Sequence, residues 1–224
     1  MDSSPKLIVF DCDGTLVDSQ AGIVGAMEAA WRAEGLPPPA HEAIRRVVGL
    51  PLTEAIAALA PALDAVPRNR MTEAYKAAFM VARSENTHTE PLFPGIAAAL
   101  DALEAAGYLL GIATGKGRNG LRLTLERHNL LHRFVTLQTA DHGPGKPHPF
   151  MLQNAMREAG VDLRDTVMIG DTTFDMVMAR RAGTAAVGVA WGYHTPSELR
   201  AAGAGEIIHH GAELEAAIAR AWTR

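Results

Sequence analysis

Short apolar, β-branched runs alternate with helical patterns along most of this chain, and that alternation admits few folds. The first run, Leu7 to Phe10 (LIVF), is bounded by Pro5 and Gly14 and reads as a strand buried on both faces. Such a strand belongs near the centre of a parallel sheet. Similar runs recur at Tyr108 to Thr114, Phe134 to Thr139, Thr166 to Asp171 and Ala185 to Trp191, with a weaker one at EIIHH, Glu206 to His210. Between them lie helical spacings: Ile96, Leu100 and Leu103 closing on Gly107; Leu121 and Leu125; Phe150, Leu152, Ala155 and Met156 closing on Gly160; Met176 and Ala179 closing on Gly183. From about residue 90 onward the pattern predicts an α/β fold with a doubly wound, mostly parallel sheet and right-handed crossovers.

Residues from Asp18 to Glu90 break the alternation. They hold no convincing strand, only alanine-rich helical patterns: AGIVGAMEAAWRAEG, HEAIRRVVG, LTEAIAALA and RMTEAYKAAFMVARSE, separated by LPPPA, Pro61 and Pro67. The expected organisation is an α/β core domain over residues 1–17 and 88–224 with a four-helix domain inserted at 18–87. A second arrangement, with these helices covering one face of the sheet, also fits the pattern. Among 224 residues, 48% hydrophobic and 21% charged with a net charge of −4, there is no basic surplus to suggest nucleic acid. A single cysteine, Cys12, excludes an internal disulfide framework and a cysteine-based zinc cluster, and fits a reducing, cytoplasmic setting. The N-terminal apolar run is too short for a signal peptide, and no stretch reaches the length of a membrane span. The expected partner is a small metabolite, with the chain a monomer or homodimer.

In open parallel sheets ligands bind beyond the carboxyl ends of the strands. There the sequence places Asp11, Asp13 and Thr15 after the first strand, Thr114, Gly115 and Lys116 after the second, and Asp171 and Asp175 after the fourth. Lys146 lies in the loop DHGPGKPHP after the third. Taken singly, each reads as a helix cap, a turn or a solvated side chain. Jointly they do not: a string Asp-x-Asp-Gly-Thr arises by chance in about one chain in a thousand of this length. Converging carboxylates repel, and a hard divalent cation with oxygen ligands, Mg2+ above all, relieves that repulsion. An arriving phosphate dianion meets the same repulsion, about 4 kcal/mol for each unit-charge pair at 4 Å and an effective dielectric of 20. Metal and lysine offset it, and a carboxylate can then attack phosphorus while a neighbouring carboxyl moves the proton.

DCDGTLVDS, ATGK, GKPHP and IGDTTFD, in that order, resemble the four motifs of the haloacid dehalogenase-like hydrolase superfamily, over nearly the whole chain. The helical insertion resembles the cap of the subgroup that includes phosphoglycolate phosphatase, β-phosphoglucomutase, phosphonatase and the dehalogenases. The resemblance implies a Mg2+-dependent phosphatase acting through an aspartyl phosphate. It makes Asp11 the nucleophile and Asp13 the general acid and base. It assigns Thr114 and the Gly115 amide to the phosphoryl oxygens, Lys146 to charge neutralisation, and Asp11, Asp13, Asp171 and Asp175 to the metal, Asp13 through its backbone carbonyl and Asp175 as ligand or orienter. One departure stands out: the second motif often has asparagine where this chain has Gly115, which puts substrate contacts in doubt more than the reaction.

Within the subgroup, Asp13 argues against dehalogenation, and Lys76, in TEAYKAAF, reads as a solvated helix face and not as the imine-forming lysine of a phosphonatase. IRRVVGLPLTEAI resembles the cap segment turned toward the active site, where Arg45 or Arg46 would meet a substrate carboxylate or second anionic group. With the tail AWGYHTPSELRAAGA, this makes 2-phosphoglycolate the first candidate substrate. A β-phosphoglucomutase-like transfer and a non-catalytic binding protein on the same fold are the alternatives.

Overall fold

The computed structural model describes residues 5–85 and 89–223, so the expected domain boundary at 87 and 88 lies outside the described residues. Strand β1 (Leu7–Phe10) leads into the helices α1 (Gln20–Ala33), α2 (His41–Val47), α3 (Leu52–Leu59) and α4 (Ala65–Ser84). Alternation then follows: α5 (Ile96–Ala105), β2 (Leu109–Thr114), α6 (Arg118–Arg127), β3 (Phe134–Thr139), α7 (Phe150–Ala159), β4 (Thr166–Gly170), α8 (Thr173–Ala182), β5 (Ala185–Val189), α9 (Pro196–Ala202), β6 (Glu206–Ile208) and α10 (Leu214–Trp222). The six strands form one parallel sheet in the order β3-β2-β1-β4-β5-β6, with β1 central as its sequence requires.

Alternate residues of β1 feed two separate cores. Ile8 and Phe10 pack with Leu100, Leu103, Leu125 and Ile218 from α5, α6 and α10, while Leu7 and Val9 pack with Leu152, Met168 and Met176 on the side of α7 and α8. All four β1 side chains are fully buried, which is why the run is continuous and not alternating.

Helices α1 to α4 form the expected cap, with a core of their own built on Ile23, Met27, Trp31, Ile44, Ile56 and Met71. Tyr193, from the loop after β5, inserts into that core and ties the cap to the sheet domain. Chain entry and exit run side by side, Asp18 N donating to Pro91 O at 2.8 Å and Phe93 N to Leu16 O at 3.0 Å. Pro67 does not separate helices. It sits in the first turn of α4, where the missing N–H has no intrahelical partner to lose. Four strands are also shorter than their apolar runs, β6 among them, ending at Ile208. Tyr108 N bonds Leu103 O in closing α5, Asp171 leaves the ladder to accept hydrogen bonds from Thr15 and Tyr193, and Trp191 Nε1 donates to Thr15 O.

Candidate active site

β1 and β4 are neighbours whose flanking strands extend in opposite directions, which makes their carboxyl ends the natural crevice of the sheet. Asp11 follows β1 directly, its N–H continuing the ladder to Ile169 O at 2.9 Å. The turn beyond it is closed by Gly14 N to Val17 O, with Gly14 at φ 84°, a left-handed conformation that disfavours any side chain. A Cβ at Gly14 would also collide with Asp171 and Tyr193.

Asp11, Asp171 and Asp175 are buried, and one oxygen from each lies within 4.8 Å of the others. Lys146, fully buried, reaches Asp11 Oδ2 at 2.7 Å and Asp175 Oδ1 at 2.6 Å. Other oxygens have fixed donors. Cys12 N donates to Asp11 Oδ1 at 2.6 Å, Thr15 Oγ1 to Asp171 Oδ1 at 2.7 Å, and Tyr193 N to Asp171 Oδ2 at 2.9 Å. Thr172 donates through both N and Oγ1 to Asp175 Oδ2, and Asp175 N donates in return to Thr172 Oγ1, closing a capping box at the start of α8.

Charge does not balance within this group, because three carboxylates face one ammonium. Burial pushes Asp11 up to about 6 against the opposing pull of Lys146, with Asp175 adding to the rise. Asp171 is raised well above the usual carboxylate range, first by burial and then by Asp11 and Asp175. For Lys146 burial favours the neutral form, but Asp11 and Asp175 outweigh it and hold the ammonium charged. The donor set suits a hard divalent cation: oxygen ligands, an excess of negative charge and a position beside a cavity. Asp13 stands apart from this cluster. Its carboxylate pairs with Lys116 at 2.6 Å.

The sequence gives Lys116 a place at the strand ends but no role, and it does not point to Glu90. Lys116 bridges Asp13 and Glu90, the latter at 3.2 Å, and buried Glu90 also takes Arg83 from the end of α4. The network therefore runs from the cap's exit to the first motif. Lys116 stood at a strand end in the sequence, whereas Glu90 lies in no periodic pattern and only the fold brings it there. Cys12 is a buried apolar neighbour in the core.

A cavity of about 540 Å3 opens beside Asp11 and Asp13, with Thr114, Gly115 and Lys116 on the sheet side and α1, α2, α4 and the loop 48–51 on the cap side. Gly115 explains itself here. A Cβ would lie 2.6 Å from Gly49 O and 2.7 Å from Leu50 O, so the space of the usual asparagine is filled by cap backbone. Gly115→Ala is expected to cost this seating about 1–3 kcal/mol, a fall of roughly 5- to 150-fold in kcat/KM on p-nitrophenyl phosphate, because backbone carbonyls cannot swing aside as a side chain can. Neither cap arginine lines the cavity. Arg45 lies half-buried over the Tyr193 ring, 6.0 Å from its centroid, and Arg46 pairs with Glu198 at 2.6 Å. Lys76 pairs with Glu73 at 2.8 Å and is more than half exposed, at the cavity's edge.

Comparison with known proteins agrees with this geometry. The family model described as haloacid dehalogenase-like hydrolase matches residues 8–189. This chain belongs to that family. Among haloacid dehalogenase-like hydrolases it is 41% identical over 199 residues to the probable phosphatase IndB of Dickeya dadantii, covering 88% of this chain and 86% of that one. It is 32% identical over 213 residues to the phosphoglycolate phosphatase of Caulobacter vibrioides, covering 93% and 88%. A hydrolase from Pseudomonas syringae superposes with a TM-score of 0.85 at 26% identity over 96% of this chain and 98% of that one. A β-phosphoglucomutase from Clostridium difficile superposes at 0.83 with 16% identity over 98% of each, a likeness of fold alone. Among the described residues no helix is long and apolar enough to cross a membrane.

Proposed function

We propose that this phosphoric monoester hydrolase cleaves a small phosphate monoester with Asp11 as nucleophile, an aspartyl phosphate as intermediate and Mg2+ as cofactor. The observation that carries this reading is the gathering of Asp11, Asp171 and Asp175 against Lys146 at the switch point of the sheet. Asp171, Asp175, Asp11 and the Asp13 backbone would hold the metal, which when bound supplies the positive charge that lets a phosphate dianion approach the carboxylates.

The chain's own residues do the rest. Lys146 keeps Asp11 oriented and ionised, and its positive charge also favours the arriving phosphate. Thr114 Oγ1 and the Gly115 N–H, both on the cavity wall, bind phosphoryl oxygens. Asp11 attacks phosphorus, and the ester oxygen leaves with a proton from Asp13. Water then attacks the aspartyl phosphate and returns a proton to Asp13, so the enzyme is regenerated. Asp13 lines the cavity wall on the Lys116 side, which supports this role.

The sequence put 2-phosphoglycolate first on the strength of Arg45 or Arg46 together with the tail AWGYHTPSELRAAGA. Neither arginine lines the cavity, which weakens that part of the support, while the relatives named phosphoglycolate phosphatase keep 2-phosphoglycolate a candidate and the reference substrate. Turnover of p-nitrophenyl phosphate is expected to stop with EDTA and return on adding excess Mg2+. Full activity in EDTA after exhaustive dialysis would defeat the metal assignment.

A further inference from the structure

Resting on the reading of Asp11 as the attacking group, we infer that the ester this enzyme cleaves has an uncharged leaving group, an apolar ring or compact chain seated against the cap helices. The cavity beside Asp11 is walled on the cap side by Ile23, Met27, Ile44, Leu50, Tyr75 and Phe79. Its volume, about 540 Å3, falls in the range of roughly 300–1,000 Å3 that accepts drug-sized ligands, far more room than a two-carbon acid fills.

Tyr75 and Phe79, one turn apart on α4, stack with centroids 5.9 Å apart and planes 19° apart. Lys116 Nζ sits 5.2 Å from the Phe79 centroid and 2.6 Å from Asp13, so the aromatic pair stands beside the proton-transfer group, where a leaving group must lie. Apolar rings stacked at that position favour another apolar ring.

The cations that would recognise a carboxylate are placed otherwise. Arg46 holds Glu198, Lys116 is shared between Asp13 and Glu90, and Arg45, whose buried Nε has no hydrogen-bond partner among the described residues, lies over Tyr193 outside the cavity lining. Two further cations line the cavity: Lys76, paired with Glu73, and exposed Arg118, beside His142. A carboxylate pushed into the apolar wall would lose its hydration without a partner, whereas an uncharged group gains by leaving water.

The test compares benzyl phosphate with 2-phosphoglycolate, both esters of primary alcohols, on the full chain with Mg2+. Benzyl phosphate is expected to show at least a roughly tenfold higher kcat/KM. Phe79→Ala is expected to lower the benzyl to 2-phosphoglycolate ratio about tenfold, and Phe79→Leu, which keeps apolar bulk, to lower it less. Preference for 2-phosphoglycolate, or a ratio that Phe79→Ala leaves unmoved, overturns this inference and leaves the phosphatase reading standing. Hydrolysis of neither ester nor of p-nitrophenyl phosphate overturns both.

Discussion

Asp11→Asn is expected to lower phosphatase turnover by about four to six orders of magnitude while the protein folds normally. An amide has no charge and little nucleophilicity, and removal of an attacking group in other hydrolases costs on that scale. The fold has reasons to tolerate the change. Asparagine keeps an oxygen for the Cys12 N–H, and Lys146 retains Asp175 at 2.6 Å. Burial raises the Asp11 carboxyl to about 6, above its usual 3.8. An acid whose pKa rises on folding binds its proton more tightly in the native state, so it subtracts stability as pH climbs through that window. Above it, the neutral amide removes the penalty. The melting temperature of Asp11→Asn at pH 7.5 is therefore expected to equal or exceed that of the parent chain. Near-normal turnover in this variant would falsify the nucleophile assignment, and a melt many degrees lower would show that the charge is structural.

Much of this candidate site is legible in the sequence, because strand-end chemistry is written in contiguous residues. Leu7 to Phe10 could only be a central strand, and the acid that follows a central parallel strand necessarily faces the ligand crevice. Asp171 and Asp175 were legible for the same reason, four residues apart at the start of α8. What stayed hidden depends on how the cap sits on the sheet domain. Arg45 and Arg46 carry the right chemistry for a carboxylate, yet α2 directs one over Tyr193 and the other to Glu198, and no local pattern encodes that direction. Glu90 is the converse case. It carries no motif, but the fold brings it to Lys116 and Arg83. Gly115 looked like a weakened motif and is instead a fitted contact, intelligible only once the carbonyls of Gly49 and Leu50 are seen above it.

Lys146→Met is expected to destabilise the protein by about 3–5 kcal/mol and to abolish turnover. The lysine is fully buried and lies between Asp11 and Asp175, so methionine preserves length and apolar bulk while deleting the ammonium that contacts both. Breaking a buried ion pair from one side leaves the other charges desolvated and uncompensated, which is why the cost exceeds that of losing a surface pair. For a chain of this size that is a fall of roughly 6–20 °C in melting temperature. The same electrostatics predict a second readout. With Lys146 gone, a divalent cation becomes the main counter-charge for Asp11, Asp171 and Asp175, so saturating Mg2+ should raise the melting temperature of the variant by more than it raises that of the parent. Thermal melts of both proteins with EDTA and with Mg2+ measure the difference. A variant as stable as the parent and indifferent to Mg2+ would mean that the three carboxylates do not carry their charges together, and with that the electrostatic reason for a metal at this sheet edge would go as well.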